Sequence, residues 1–273
     1  MKEYASPVEL VKIFHTTYGQ PIRTSPVFDA PEKAMRHDLI DEEIEELTLA
    51  FATYDFVEVI DALADIVYVV CGAGLTHGAN LNVHIERPLV PGSFPKELVT
   101  IEPFSDVQRK MLAALWTSHE FDQDTDILEQ FNIFRASVKA KLTELPVTAE
   151  WEEINRKFID REVTVSGWFE ERIENTVSVL EQFNTANESL HSAVHTNELK
   201  EGWLELIALS YRVSFSHGVD LDVVLEEVQA SNLSKLAADG SVLRREDGKV
   251  LKGPNFFAPD IAKVLESLAP VSV

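Results

Sequence analysis

Positive charge is what this sequence has least of. Lys and Arg number 24 against 46 Asp and Glu, a formal net charge of −22 over 273 residues. A surface of that sign repels phosphate backbones and anionic lipid, which excludes a chain that coats nucleic acid or lies on a membrane. The shortage is also local: no Lys or Arg occurs between Arg36 and Arg87. Cysteine is nearly absent. Cys71 stands alone, so no internal disulfide can form, in keeping with a reducing compartment. The longest apolar run, about Ile66 to Leu75, falls far short of the roughly 20 residues that span a bilayer. Met1–Phe14 carries charges and a proline and does not read as a signal peptide. The expectation is a soluble, cytoplasmic chain with neither nucleic acid nor membrane among its partners.

Several catalytic signatures are missing as well. There is no nucleophile elbow, no Gly-rich Lys-Ser/Thr phosphate loop and no Cys–His pairing. Nor is there the pair of Glu-x-x-His motifs that a di-iron bundle places on facing helices: the sequence holds one, Glu188-Ser-Leu-His191.

What is present is helix and acid. A hydrophobic content of 45% suffices for a full core. Between Leu39 and Val70 apolar residues recur at three- and four-residue steps: Ile40, Ile44, Leu47, then Ile60, Leu63, Val67 and Val70. Tyr54-Asp55 reads as the corner between two helices. Pro88, Pro91, Gly92, Pro95 and Pro103 mark 87–103 as a connector. Helical spacing resumes near Asp106, passes through Leu115, Phe131 and Trp168, and returns over Trp203 to Phe215. Near the end, Ser241–Arg245 and Lys249–Lys252 flank Glu246-Asp-Gly248 as a short hairpin, and a last helix runs from about Pro259 to Ser267.

One segment recurs. His77-Gly-Ala-Asn-Leu81-Asn-Val83 is echoed by His217-Gly-Val-Asp-Leu221-Asp-Val223, 140 positions on, and at the same shift Glu58 and Asp61 fall on Glu198 and Glu201. This favours duplication of one helical unit over coincidence between two amphipathic helices.

The acids are patterned. Residues three and four apart share a helix face, so Glu43 and Glu46 point one way, as do Glu58, Asp61 and Asp65. Two helices paired across the Tyr54 corner bring these faces together. Hard oxygen donors with no Cys or His among them favour Mg²⁺, or Mn²⁺, over Zn²⁺. Glu43, Glu46, Glu58 and Asp61 are the expected ligands. Asp65 is equally a second-shell acceptor, and Glu42 and Glu45 read as a solvated face.

These residues resemble the all-α NTP pyrophosphatase superfamily, the MazG-like and dimeric-dUTPase-like group, with Glu-x-x-Glu on one helix and Glu-x-x-Asp on the next. Phe14–Gly19, Arg36–Glu43 and Asp61–Asp65 followed by Gly72 are similar to its phosphoribosyl-ATP-pyrophosphohydrolase-like branch. Glu227–Lys235, containing Ser-Asn-Leu-Ser-Lys, and Glu246–Asn255, containing Lys-Gly-Pro-Asn, are similar to that branch's C-terminal signature. About 140 residues separate parts that family members usually join directly.

The resemblance implies an all-α bundle of two fused units forming a pseudo-dimer, residues 1–100 with the acids and 101–273 with the C-terminal signature. It implies a Mg²⁺-dependent pyrophosphohydrolase that cleaves a nucleoside triphosphate to the monophosphate and pyrophosphate by direct attack of water, with Glu43 or Glu46 as base and Glu42 conceivable in that role. Asn232, Lys235, Lys252, Asn255 and Arg36 are the expected substrate contacts, with His15 and Gln20 beside the base. Arg244, Arg245 and Lys249 read mainly as a solvated hairpin. The chain is expected as a monomer or a homodimer. The alternative function is a nucleotide sensor of the same fold without turnover; a helical partner-binding protein is a third reading.

Overall fold

The structure, a computed structural model, describes residues 4–53, 55–82, 94, 173–237, 240–245 and 249–268. These residues form seven α-helices: α1 (Pro7–Tyr18), α2 (Ala30–Ala52), α3 (Phe56–His77), α4 (Ile173–Ser192), α5 (Thr196–Ser216), α6 (Leu221–Leu233) and α7 (Ile261–Leu268). Among the described residues the one β interaction is an antiparallel bridge between Arg244 and Val250. The turn expected at 246–248, the connector at 87–103 and the helical spacing expected between Asp106 and Trp168 lie outside the described residues. No described helix is long and apolar enough to cross a membrane.

Local chemistry fixes the helix ends. Ser6 and Glu9 form a capping box at α1, with Pro7 in its first turn, and Gly19 closes the helix at φ 60°. Asp29 and Asp55 cap α2 and α3 by accepting from the N–H groups of Glu32 and Glu58, at 3.2 and 3.3 Å. Only residues 53–55 separate α2 from α3, so the two pack as an antiparallel hairpin. Of the corner expected at Tyr54-Asp55, Asp55 is the N-cap of α3 and Tyr54 lies outside the described residues.

α3 is the central helix, packed by α1, α2, α5, α6 and α7. Seventeen of its 22 residues are buried. Of the five that are not, Glu58, Asp61, Asp65 and Val69 recur at steps of three and four and form a single stripe, with Leu75 off it. The hydrophobic core therefore surrounds α3 and leaves one mostly acidic line facing out.

The second hairpin, α4–α5, copies the first closely. Shifted by 140 positions, α3 would run 196–217, against Thr196–Ser216 for α5. Its far end repeats in atomic detail. His77 Nδ1 lies 3.0 Å from the Ala73 carbonyl, to which Thr76 Oγ1 also donates. His217 Nδ1 lies 2.8 Å from the Val213 carbonyl, to which Ser216 Oγ donates. Gly78 and Gly218 follow at φ 67° and 79°. Asn80 and Asp220 then each accept from the N–H two residues on, at 3.0 and 3.1 Å.

Candidate active site

The facing surfaces of α2 and α3 bring the acids together. Ile44 and Leu47 point into the core, which turns Glu43 and Glu46 to the half-buried flank. The Glu43 carboxyl is held well above the usual carboxylate range, first by burial and then by the charges of Asp65, Glu46, Glu42 and Asp61. Acids of both helices therefore act on one carboxyl. Glu58 sits a turn away, at the capped start of α3, and is not among the groups that shift Glu43.

Beside these acids is a cavity of about 160 Å³ bounded by α1, α2, α3, α6 and residues 249–250. Its walls contain carboxylates and cations together: Glu43 and Asp65, with Arg36, Lys235 and Lys249. Glu46, Glu58 and Asp61 do not line it. Burial lowers the Lys235 ammonium; Asp65 and Glu43 oppose that shift, and the neighbouring Lys252 and Lys249 add to it. The C-terminal cations thus stand within electrostatic reach of the N-terminal acids, although about 170 residues separate Asp65 from Lys235 along the chain.

The other end of the cavity is lined by His15, Gln20 and Gly72. Arg36 is buried, donating from Nε to Glu32 at 2.9 Å and from Nη2 to Gln20 at 3.4 Å. His15 is 1% exposed, with Nδ1 2.9 Å from the Pro21 carbonyl. Burial brings its pKa down to about 4. A neutral ring donating from Nδ1 to a carbonyl leaves Nε2 as an acceptor. Gly72 makes this close approach possible: a Cβ there would stand 3.1 Å from His15 Nε2 and 3.5 Å from Arg36 Nη1.

Two tyrosines anchor α6, the helix that delivers Asn232 and Lys235. Tyr18 donates to the carbonyls of Asn232 and Leu233, both at 2.9 Å, and Tyr68 donates to Gln229 at 2.7 Å. The following segment is held by Ser231, which donates to the Phe257 carbonyl at 2.8 Å, and by Arg244, which donates to the Tyr18 carbonyl.

The expected residues divide accordingly. Glu43, Asp65, Arg36, Asn232 and Lys235 line one cavity, with His15 and Gln20. Lys252 and Asn255 are exposed and do not line it; the Lys252 ammonium lies 4.6 Å from the centre of the Phe256 ring. Lys249, read from sequence as hairpin surface, lines the cavity and meets Glu42 at 2.6 Å. Tyr18 lies within the family-like Phe14–Gly19 segment, which gave it no role, and Tyr68 lies in none of the motifs. Their spacing to residues 229–233 exists only in three dimensions.

The second hairpin does not repeat this arrangement. Positions 140 beyond Glu43 and Glu46 are Phe183 and Ala186, both buried in the core. Glu198, in the position of Glu58, accepts from the N–H groups of Val194 and His195, at 2.8 and 3.1 Å, and so serves to start α5. Glu171 and the Glu174 side chain lie outside the described residues.

Comparison with known proteins agrees with the geometry. Residues 11–87, which take in α1 from Val11 onward and all of α2 and α3, match the family Phosphoribosyl-ATP pyrophosphohydrolase. Members of that family are pyrophosphohydrolases, and the domain at residues 11–87 is part of the MazG-like all-α NTP pyrophosphatase superfamily. An uncharacterized protein of Acanthamoeba polyphaga mimivirus is 34% identical over 122 residues, covering 39% of this chain. The chain spans 48% of that relative's length. No solved structure matches.

Proposed function

We propose that the chain is a Mg²⁺-dependent pyrophosphohydrolase that converts a (deoxy)nucleoside triphosphate to the monophosphate and pyrophosphate. The site is composite, with acids from residues 1–100 and phosphate donors from residues 101–273, two related units acting as a pseudo-dimer. One observation carries this reading: Glu43 and Asp65 share a single cavity with Lys235 and Lys249. The matching bounds and ends of the two hairpins support the duplication.

The donor set suits a hard divalent cation. Burial first, and then the carboxylates of Asp65, Glu46, Glu42 and Asp61, raise the proton affinity of Glu43; oxygen-only donors select Mg²⁺ or Mn²⁺. Glu43, Glu46, Glu58 and Asp61 would hold it, with Glu42 and Asp65 behind them. Among the described residues no three or more His, Cys, Asp or Glu side chains already surround one metal position. In this reading their rotamers are set when the ion binds. Once bound, the ion would neutralise phosphate charge and acidify water.

The chain's own residues supply the remaining steps. Glu43 or Glu46 takes the proton of the attacking water at a carboxylate oxygen. Lys235 and Lys249 donate to phosphate oxygens as negative charge moves to the leaving group. Asn232 adds a neutral hydrogen bond, and His15, Gln20 and Arg36 face the nucleoside. Lys252 and Asn255 stand second to Lys249 in this scheme.

The test is a panel of nucleoside triphosphates incubated with the full chain and Mg²⁺, with products separated by anion exchange. Monophosphate and pyrophosphate in equal amounts support the proposal. Stoichiometric orthophosphate overturns the cleavage position, and binding without turnover favours the sensor.

A further inference from the structure

A second group of metal-ligating side chains lies where the two hairpins touch, outside the cavity that Glu43 and Asp65 line. His37 on α2 and His191 near the end of α4 are 154 residues apart, yet their rings face each other with centroids 5.1 Å apart. His37 Nε2 stands 3.1 Å from His191 Nδ1. Two imidazole nitrogens on one tetrahedral ion, each bonded at 2.0–2.1 Å, are about 3.3 Å apart. The 3.1 Å contact is a ring-to-ring hydrogen bond, and an ion replacing its shared proton would need the two nitrogens to part by only a few tenths of an ångström.

The surroundings agree. His37 Nδ1 is buried without a hydrogen-bond partner, and the Asp41 carboxylate is 3.9 Å away. Asp41 is fixed in turn by Asn187 of α4, whose amide donates to it at 2.5 Å. An imidazole bound to metal through Nε2 carries its proton on Nδ1, and a carboxylate is the usual acceptor for that proton. His191 lies in the last turn of α4, where the helix dipole favours a cation. Lys33 opposes a cation here, although its ammonium is directed to the carbonyls of His191 and Ala193, both at 2.7 Å. Burial also holds His37 below the usual imidazole value, so the ring is neutral and ready to ligate at neutral pH.

We propose that His37 and His191 form a two-imidazole site for a late first-row divalent ion, with Ni²⁺ as the probe, water completing the shell and Asp41 accepting from His37 Nδ1. Such an ion clamps the first helical hairpin to the second. Nitrogen ligands distinguish this site from the oxygen-only Mg²⁺ site. The inference does not depend on the chain having any catalytic activity.

The experiment titrates Ni²⁺ into the full chain in excess Mg²⁺, following heat of binding and melting temperature. The expected result is stoichiometric Ni²⁺ binding with a rise in melting temperature. Both effects are lost in His37→Ala and in His191→Ala. Asp41→Asn weakens Ni²⁺ binding about 10- to 100-fold, as loss of an outer-shell partner does. His191→Cys retains the site, and Co²⁺ then gives a thiolate charge-transfer band. Each single variant keeps the wild-type melting temperature to within a few degrees in the absence of Ni²⁺. Wild-type Ni²⁺ binding that persists unchanged in His37→Ala, or no Ni²⁺-dependent shift in the wild type, overturns the proposal.

Discussion

The α2–α3 and α4–α5 hairpins have nearly the same frame and opposite endowments. Their bounds coincide after a shift of 140, and both close on a His-Gly turn with the same hydrogen bonds. On the outer helix, however, Glu43 and Glu46 in the first hairpin answer to Phe183 and Ala186 in the second. The difference teaches that helix ends and core contacts are one requirement and a catalytic face is another. Replacing two acids by apolar residues removes like-charge repulsion and adds buried area, which benefits a hairpin with no ion to hold.

The sharpest way to break this contrast is to remove acids from the first hairpin. Glu46→Gln or Asp61→Asn should reduce pyrophosphate release by on the order of 10²–10⁴-fold, the range for loss of a group acting on the transferred proton. Circular dichroism should show the helices intact. Because the substitution relieves crowding around Glu43, the melting temperature without metal should hold or rise. Full turnover in both variants would place the chemistry elsewhere.

The second test concerns the donors. Lys235→Ala should raise KM roughly ten- to hundredfold, the 1.5–3 kcal/mol of a charge-assisted hydrogen bond. Lys252→Ala should do less, since Lys252 lies outside the cavity and over Phe256. Steady-state kinetics on both variants, with Mg²⁺ affinity measured without nucleotide as the control, would check the order. An isolated segment 1–100 with full activity would end the composite-site idea.

Much of this was readable before any coordinates. The α2–α3 hairpin, its corner, the Trp203–Phe215 stretch of α5 and the last helix follow from apolar spacing and caps. The acidic stripe follows from three- and four-residue steps. Apolar spacing does not announce α1 or α6, and the reason is physical. They are 12 and 13 residues long, and their buried faces include His15 and Tyr18 in one, and Asp222, Gln229, Ser231 and Asn232 in the other. Polar groups satisfied by tertiary partners dilute a hydrophobic period. Lys249 was undervalued for a related reason. Its role depends on Lys249 lying beside Glu42 of α2, a contact between positions 207 residues apart.

A pH test comes next, at α1, which packs against α3 of the first hairpin. His15 is buried and neutral, with a folded pKa of about 4 against about 6.5 when unfolded. Above the unfolded value both states are neutral and the group has no effect. As pH falls from 6.5 towards 4 the unfolded chain takes up a proton that the folded chain refuses, so stability declines. Below 4 the loss levels off. The full penalty is on the order of 3 kcal/mol. Urea denaturation between pH 7 and 4 should show a weaker slope in His15→Gln than in the wild type. An unchanged slope would mean that His15 does not remain neutral in the fold.

The smallest effects are expected at the acids of the second hairpin. Glu201 and Glu205 occupy the positions of Asp61 and Asp65 after the shift of 140, yet the positions that match Glu43 and Glu46 are Phe183 and Ala186 rather than a second acidic pair. Glu205 meets Arg212 at 3.0 Å, with both side chains more than half exposed. An exposed pair of this kind contributes about 0–1 kcal/mol. Glu201→Gln and Glu205→Gln should therefore leave turnover at the wild-type level and shift stability by no more than about 1 kcal/mol. Parallel assays with Asp61→Asn make the comparison internal, because the same change of charge is introduced at matching points of two near-identical frames. A large loss of turnover in Glu205→Gln would mean that the second hairpin keeps working acids, and the account of one composite site would give way to two.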